Sequence, residues 1–449
     1  MRALVLLCAA QFMVILDITV VNIALPSIQA DVGLAAKDLQ WVITAYTLTF
    51  GGLLLLGGRA ADLLGRKRVF LAGLTVFTLA SLGAALAGSA AALIGARVAQ
   101  GVGAALLSPA ALSLVTTLYD EGPQRNRALA AWAAVAASGS AVGVLVGGAL
   151  TSAFDWSAIF LINVPIGVAV AVLALRVLPA GRGSGGRLDV AGAPLATGAL
   201  VALIYALVEA PSAGWGSLQT LGLLALAAAG LAAFVAVEAR VAEPLVPLHV
   251  LRRRPTVVAL ASMVAGMGTV LSAFFFLTQY LQHELGHSTL RTGLEFLPGA
   301  LVLVVFAHAG QRLVARHGAK PVLAGGMTLG AAGALLLAGL PADGSYVADV
   351  LPGLLVLDAG IGLAAAGVFI TGMAGVAHDE AGVTSGLLTT SHEIGIALVL
   401  PVLSTIALNG SRADAFRTAT VICLGAALLV LAALRRSDVA AGSHAAFVH

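Results

Sequence analysis

Leu4-Val-Leu-Leu-Cys8-Ala-Ala-Gln11-Phe-Met-Val-Ile-Leu16-Asp17-Ile-Thr-Val-Val-Asn22-Ile-Ala-Leu-Pro26-Ser27 is the stretch on which the fold turns. It is apolar over the roughly 20 residues a helix needs to cross a bilayer. It nevertheless carries Asp17 near its middle and Asn22 beyond it. Arg2 is its only basic flank, and the run is too long for the apolar core of a secretory leader, so it reads as a retained first helix.

The same pattern repeats along the chain. Fourteen apolar runs cover approximately residues 4–27, 41–62, 69–88, 91–117, 128–152, 157–178, 189–209, 217–237, 257–280, 292–312, 321–340, 350–372, 383–407 and 418–434. The polar interruptions are too short for a folded aqueous domain. Period-two alternation of the membrane-barrel type is absent, so the runs are helices, the other structure that satisfies its own backbone in lipid. Composition agrees. The 449 residues are 60% hydrophobic and 10% charged, against about 25% charged in an ordinary soluble domain. Mean hydropathy is +1.02. A water-soluble enzyme is excluded, because that little charge cannot cover the surface. Cys8 and Cys423 lie far apart in apolar runs, which indicates neither a disulfide framework nor a thiolate metal site.

Charge sets an expected orientation. Counting helix by helix, 19 of the 24 basic residues fall on the side of the N-terminus, including Arg2, Arg66–Lys67–Arg68, Arg182, Arg187, Arg252–Arg253–Arg254, Lys320, Arg435 and Arg436. Lys37, Arg291, Arg412 and Arg417 fall on the other side, and Arg97 lies within a helix. The positive-inside rule then places both termini in the cytoplasm of a multi-pass cell-membrane protein. The net charge of +3 reports topology, not nucleic-acid binding. Two longer connections, Pro179–Arg187 and Arg240–Pro255, bracket the seventh and eighth runs. The expected layout is an N-terminal six-helix bundle (1–178), an inserted helix pair with its linkers (179–255), a C-terminal six-helix bundle (256–434) and a cytoplasmic tail (435–449). The fold class is thus an all-α integral membrane protein with fourteen transmembrane helices, in the manner of transporters built from repeats.

Polar groups at membrane depth are costly and usually functional. Asp17 lies roughly 20 Å from the cytoplasmic end of the first run, and Arg97 roughly 9 Å below the outer end of the fourth, at 1.5 Å per residue. The two share a depth in the outer half, so they can pair. The pair reads either as a static ion pair or as a protonatable carboxylate answering to its neighbour and to water; we favour the second. Asp358, Glu393, its neighbour His392, and Asn22 are candidates for a substrate or second proton site. Adjacent helical residues point about 100° apart, so His392 and Glu393 need not touch. Glu295 sits near an outer helix end, where an interfacial role suffices. The segment Gly58-Arg-Ala-Ala-Asp62-Leu-Leu-Gly65-Arg66-Lys67-Arg68 closes the second run and opens an expected four-residue turn, with Gly65 suited to a helix C-cap. It is either a gate element or a basic topology signal. Gly139, Gly143 and Gly147, with Gly148, form a smooth strip on the fifth run for close helix packing. No metal site is expected. Lys37, Lys67 and Lys320 all lack the preceding glycine of a phosphate loop, so energy must come from an ion gradient or from the substrate's own.

Together these segments resemble the fourteen-helix drug:proton antiporter family of the major facilitator superfamily. Leu16 to Pro26 is similar to that family's first-helix signature, and Gly58 to Arg68 to its loop between the second and third helices. Arg97-Val-Ala-Gln100-Gly101-Val-Gly103-Ala-Ala is similar to its fourth-helix signature, and Phe160-Leu-Ile-Asn163-Val-Pro165-Ile-Gly167 to the start of its sixth. The resemblance implies two bundles around a central cavity, alternating access, and proton-coupled export of drugs, antibiotics or an amphipathic metabolite. It assigns proton coupling to Asp17 and Arg97, and a cytoplasmic gate to Gly58, Asp62, Gly65, Arg66 and Lys67. It implies no cofactor beyond the proton gradient. The partners expected are a small-molecule substrate, protons and the lipid bilayer, with a functional monomer. The chain departs from the family at Val144, where a proline usually follows the second glycine of the fifth-helix motif. A proton-coupled importer of the same fold stays open beside export, and a membrane-embedded transferase is a remote third reading.

Overall fold

The computed structural model describes residues 2–35, 38–119, 123–179, 192–241, 244, 246, 248–376 and 381–434. Lys37, the linker with Arg182 and Arg187, and the tail 435–449 with Arg435 and Arg436 lie outside the described residues. The described chain is helical throughout. In order the helices are α1 (Arg2–Val32), α2 (Trp41–Leu64), α3 (Arg66–Ala85), α4 (Ala90–Leu118), α5 (Pro123–Ala153), α6 (Ala158–Leu161), α7 (Asn163–Val177), α8 (Gly192–Ala213), α9 (Leu218–Glu238), α10 (Arg254–Gln279), α11 (Thr289–His317), α12 (Ala319–Leu337), α13 (Leu351–Met373), α14 (Ala381–Asn409) and α15 (Arg412–Ala433). Each apolar run of the sequence lies on a helix, and α6 with α7 share the sixth, interrupted at Ile162.

By length and apolarity among the described residues, 11 helices can cross a membrane, or 12 when the bent α2 counts as one. This is fewer than the fourteen expected. On α5 and α8 the apolar stretches among the described residues are Val142–Ala153 and Pro194–Leu207. Helix α1 also continues past Pro26 to Val32, because a proline late in a membrane helix removes one hydrogen bond without ending it.

Two compact units emerge. One comprises Met1–Ala193 and His287–Leu297, the other Pro194–Gly286 and Pro298–His449. Within the first, α2 and α3 pack along α4, and α1 along α5. Phe70, Phe77, Tyr46, Met13 and Leu7 fill its core. Within the second, α12 packs along α13 and α15, and α10 along α14. Lipid is as apolar as leucine, so these helices associate by close packing rather than by escape from water. Small residues make that approach possible. A Cβ on Gly73 would lie 2.6 Å from the Leu107 amide nitrogen, and one on Gly103 2.5 Å from that of Phe77. The second unit repeats the device at Gly326, where a Cβ would lie 2.6 Å from the Ala364 nitrogen, and at Gly360, which abuts Gly330.

The turn from α2 to α3 contracts to Gly65 alone, not the four residues expected. Its φ of 99° lies in the left-handed region that side chains avoid, and its N–H caps the Ala61 carbonyl. Gly318, between α11 and α12, has φ 84°. Two residues after each glycine stands a lysine with one task. Lys67 Nζ donates to the Leu175 and Leu178 carbonyls at 2.9 and 2.6 Å, closing the C-terminus of α7. Lys320 Nζ donates to the Leu431 and Leu434 carbonyls at 2.8 and 2.6 Å, closing that of α15. A cation there satisfies orphan carbonyls and opposes the negative end of the helix dipole.

Candidate functional site

Asp17 is completely buried on α1, and Arg97 on α4 is 1% exposed. An isolated ion there would be unfavourable by several kcal/mol, so the surroundings must supply partners, and they do. Arg97 Nη1 donates to Asp17 Oδ2 at 2.5 Å. Gln100 Nε2 donates to Asp17 Oδ1 at 3.0 Å, and Asn163 Nδ2 donates to the same oxygen at 2.9 Å. Both carboxylate oxygens are therefore engaged, by three side chains from α4 and α7.

The guanidinium is held just as fully. Its Nε donates to the Val42 carbonyl on α2 at 2.8 Å, and its Nη1 also donates to Gln100 Oε1 at 2.9 Å. The Tyr46 ring lies under it, with its centroid 4.3 Å from Cζ. Such a stack adds attraction in a desolvated site. Gln100 passes the network on by donating to Ser81 Oγ at 2.8 Å, and Ser81 donates to the Phe77 carbonyl on its own helix. Arg97 and Gln100 are three residues apart and so share a face of α4.

Local sequence explains why Asn163 arrives at Asp17. Asp155 accepts from the Ser157 N–H at 2.7 Å and from its hydroxyl at 2.5 Å, forming the turn before α6. These donors hold the Asp155 carboxyl below its ordinary range. Trp156 Nε1 donates to Asp31 Oδ2 at 2.8 Å, tying this turn to the last residues of α1. Ile162 keeps helical angles (φ −58°, ψ −28°) between α6 and α7, and Asn163 and Pro165 follow it within the first turns. Proline is tolerated there because first-turn N–H groups have no helical acceptor.

The glycine strip of α5 faces α1 beside Asp17. A Cβ on Gly139 would lie 3.0 Å from Ile15 Cγ2, one on Gly143 would collide with Thr19 Oγ1, and one on Gly147 would lie 2.9 Å from Val20 Cα. Gly148 instead abuts Thr289 and Leu290 at the start of α11, where a Cβ would lie 3.0 Å from the Thr289 carbonyl oxygen.

Asn22 stays outside the Asp17 network. Its amide back-bonds to the Ile18 carbonyl at 3.2 Å, and its Oδ1 has no partner. In the segment from Gly58 to Arg68, Arg66 pairs with Asp62 one turn earlier at 3.6 Å, on an exposed face. Glu295 accepts from Arg291 Nε at 3.0 Å and meets His287 Nδ1 at 2.8 Å. In the second unit Glu393 is buried, and its Oε1 meets His392 Nδ1 at 2.9 Å, so these neighbours do touch. Its Oε2 has no partner, and neither oxygen of Asp358 has one. Gln100 and Asn163 stand inside the signature segments of the fourth and sixth runs but receive no role from the sequence, and Ser81 is not singled out there at all. The Arg97–Gln100 spacing, which puts both on one face of α4, is the signal that joins Gln100 to the site.

The chain matches the Major Facilitator Superfamily over residues 7–400. It belongs to that superfamily. Members are membrane transporters, not enzymes, and the chain is a multi-pass membrane protein. Among similar proteins is the cephamycin export protein CmcT of Amycolatopsis lactamdurans, 43% identical over 97% of this chain and 93% of that protein. Another is the puromycin resistance protein pur8 of Streptomyces alboniger, 42% identical over 91% of this chain and 82% of that protein. A peptide transporter POT in complex with sulfate superposes with a TM-score of 0.72 over 96% of this chain and 94% of that one, at 16% identity, which shows the shared major facilitator fold.

Proposed function

We propose that this chain is a proton-coupled efflux transporter that exports an antibiotic or drug-like amphipathic molecule by alternating access. The export half rests on relatives that are themselves export and resistance proteins across nearly the whole chain, CmcT and pur8 among them. The tetracenomycin C resistance and export protein of Streptomyces glaucescens is a third, 35% identical. The coupling half rests on one observation: a buried carboxylate, Asp17, whose two oxygens are shared among Arg97, Gln100 and Asn163. Proton binding to Asp17 cancels the charge for which those donors are arranged. The loaded and empty forms therefore favour different packings of α1, α4 and α7, and this ties protonation to conformation. One charge crossing with the potential supplies about 2.3 kcal/mol per 100 mV, enough for roughly a fiftyfold concentration ratio. The finer topology proposed is fourteen spans in two six-helix bundles with an inserted pair, both termini cytoplasmic, acting as a monomer. The segment from Gly58 to Lys67 serves as the cytoplasmic gate.

The test is uptake of ethidium and puromycin into inverted vesicles energised with a proton gradient. Wild-type vesicles should accumulate at least one of the two, and an uncoupler should abolish it. Asp17→Asn should bind but not concentrate the probe. Arg97→Ala should be inactive, whereas Arg97→Lys, which keeps a cation, should retain part of the activity. Uncoupler-sensitive accumulation by Asp17→Asn would move the coupling site elsewhere.

A further inference from the structure

The second unit contains a carboxyl in the opposite condition to Asp17. Asp358, on α13, is fully buried, and neither of its oxygens has a hydrogen-bond partner. A notch in α11 receives it. A Cβ on Gly299 would collide with Asp358 Oδ2 and come within 2.9 Å of Leu354 Cγ, so only glycine leaves room for the carboxyl. Pro298, just before it, has no N–H to give the carbonyl four residues back, which makes α11 pliable at this level. The ionisable groups on α10, α12, α14, the turn before α13 and α11 beyond Pro298 are Arg254, Lys320, His392, Glu393, Tyr346, Asp349, His308, Arg312, Arg316 and His317. None of them is bonded to Asp358.

A carboxylate ion in an apolar interior requires donors or a cation, and a buried charge with neither is strongly disfavoured. The surroundings of Asp358 suit the neutral acid. We propose that Asp358 is a second proton-carrying site, so that each cycle moves two protons: one on Asp17 in the first unit and one on Asp358 in the second. This rests on the proton-coupled reading above and adds its stoichiometry. The charge balance follows. Export of a monovalent cation against two entering protons carries one net positive charge inward. Export against one proton carries none.

Two measurements on the full-length purified protein test it. The first is infrared difference spectroscopy across a pH titration. At neutral pH the wild type should show the carbonyl stretch of a protonated carboxyl. Asp358→Asn should remove it, Asp358→Glu should shift it, and Asp17→Asn should leave it. A spectrum unchanged in Asp358→Asn overturns the proposal, and since no transported substrate is needed, this stands apart from the efflux reading. The second uses proteoliposomes and ethidium. A membrane potential imposed without a pH difference should drive the wild type but not Asp358→Asn, while a pH difference should drive both. A potential response retained by Asp358→Asn, or absent from an active wild type, overturns the proposal. So does a variant that loses ethidium binding instead, because the carboxyl would then be a substrate contact. A wild type inert to both forces refutes the proton-coupled reading itself.

Discussion

At the scale of single residues, the decisive feature is how fully Asp17 is satisfied. Similar depth in the sequence makes a pair with Arg97 possible, and the two side chains do meet. Gln100 and Asn163 complete the shell, and both converge on Oδ1. Removing one donor from a buried charged group costs about 1.5–3 kcal/mol. Asn163→Ala should therefore lower the thermal unfolding midpoint of the detergent-purified protein and slow transport. Asn163→Asp should be worse on both counts, since it sets a second carboxyl against the first. An unfolding midpoint equal to wild type in both variants would show that Asn163 does not bear on Asp17. Asp17 and Arg97 were legible because a charge in an apolar run stands out. Asn163 was not, because an asparagine at a helix start reads equally well as a local cap.

At the scale of elements, the termini of α7 and α15 are closed from a distance. Neither helix ends on a glycine that could supply its own left-handed cap; Lys67 and Lys320 reach their last carbonyls instead. Lys67→Met and Lys320→Met should each destabilise the protein by about 1–2 kcal/mol. They share no partner, so the double variant should lose the sum of the two in thermal unfolding. A double variant as stable as either single would mean that water closes these termini equally well. The turn between α2 and α3 has a physical cause. Gly65 allows a one-residue reversal at φ 99°, and Lys67 anchors the new helix to α7. The repeat at Gly318 and Lys320 was invisible to comparison of side chains, because few residues around the two turns match. What is shared is spacing: eight residues separate Gly65 from Gly73, and Gly318 from Gly326.

At the scale of the whole molecule, orientation is the property that the distribution of basic residues predicts and a simple experiment decides. The two native cysteines are free and buried, so they give little background. A cysteine at exposed Ser345 should react with an impermeant thiol reagent added outside intact cells. A cysteine at exposed His317 should react only after the membrane is opened. The reverse pattern would invert the protein, and labelling of both from outside would break the proposed helix count.

Some properties followed from the amino-acid order alone. Apolarity over some 20 residues at a time dictates membrane helices, because backbone groups must bond internally in lipid. Depth along each helix is arithmetic at about 1.5 Å per residue, which matched Asp17 to Arg97 before any contact was known. Direction around the helix axis is different. Helices as apolar as these carry little periodic signal, so side-chain pattern does not say which face meets which neighbour. Tertiary structure therefore decided that the α5 glycines lie against Ile15, Thr19 and Val20 rather than elsewhere. It also decided that Asp17 has three donors while Asp358 has none. Two aspartates of the same chemistry each lie deep in an apolar helix, and the residues beside them in the chain do not tell how many donors each meets. They differ because a hydrogen bond depends on groups brought together from other helices, and only the packing of those helices supplies or withholds them.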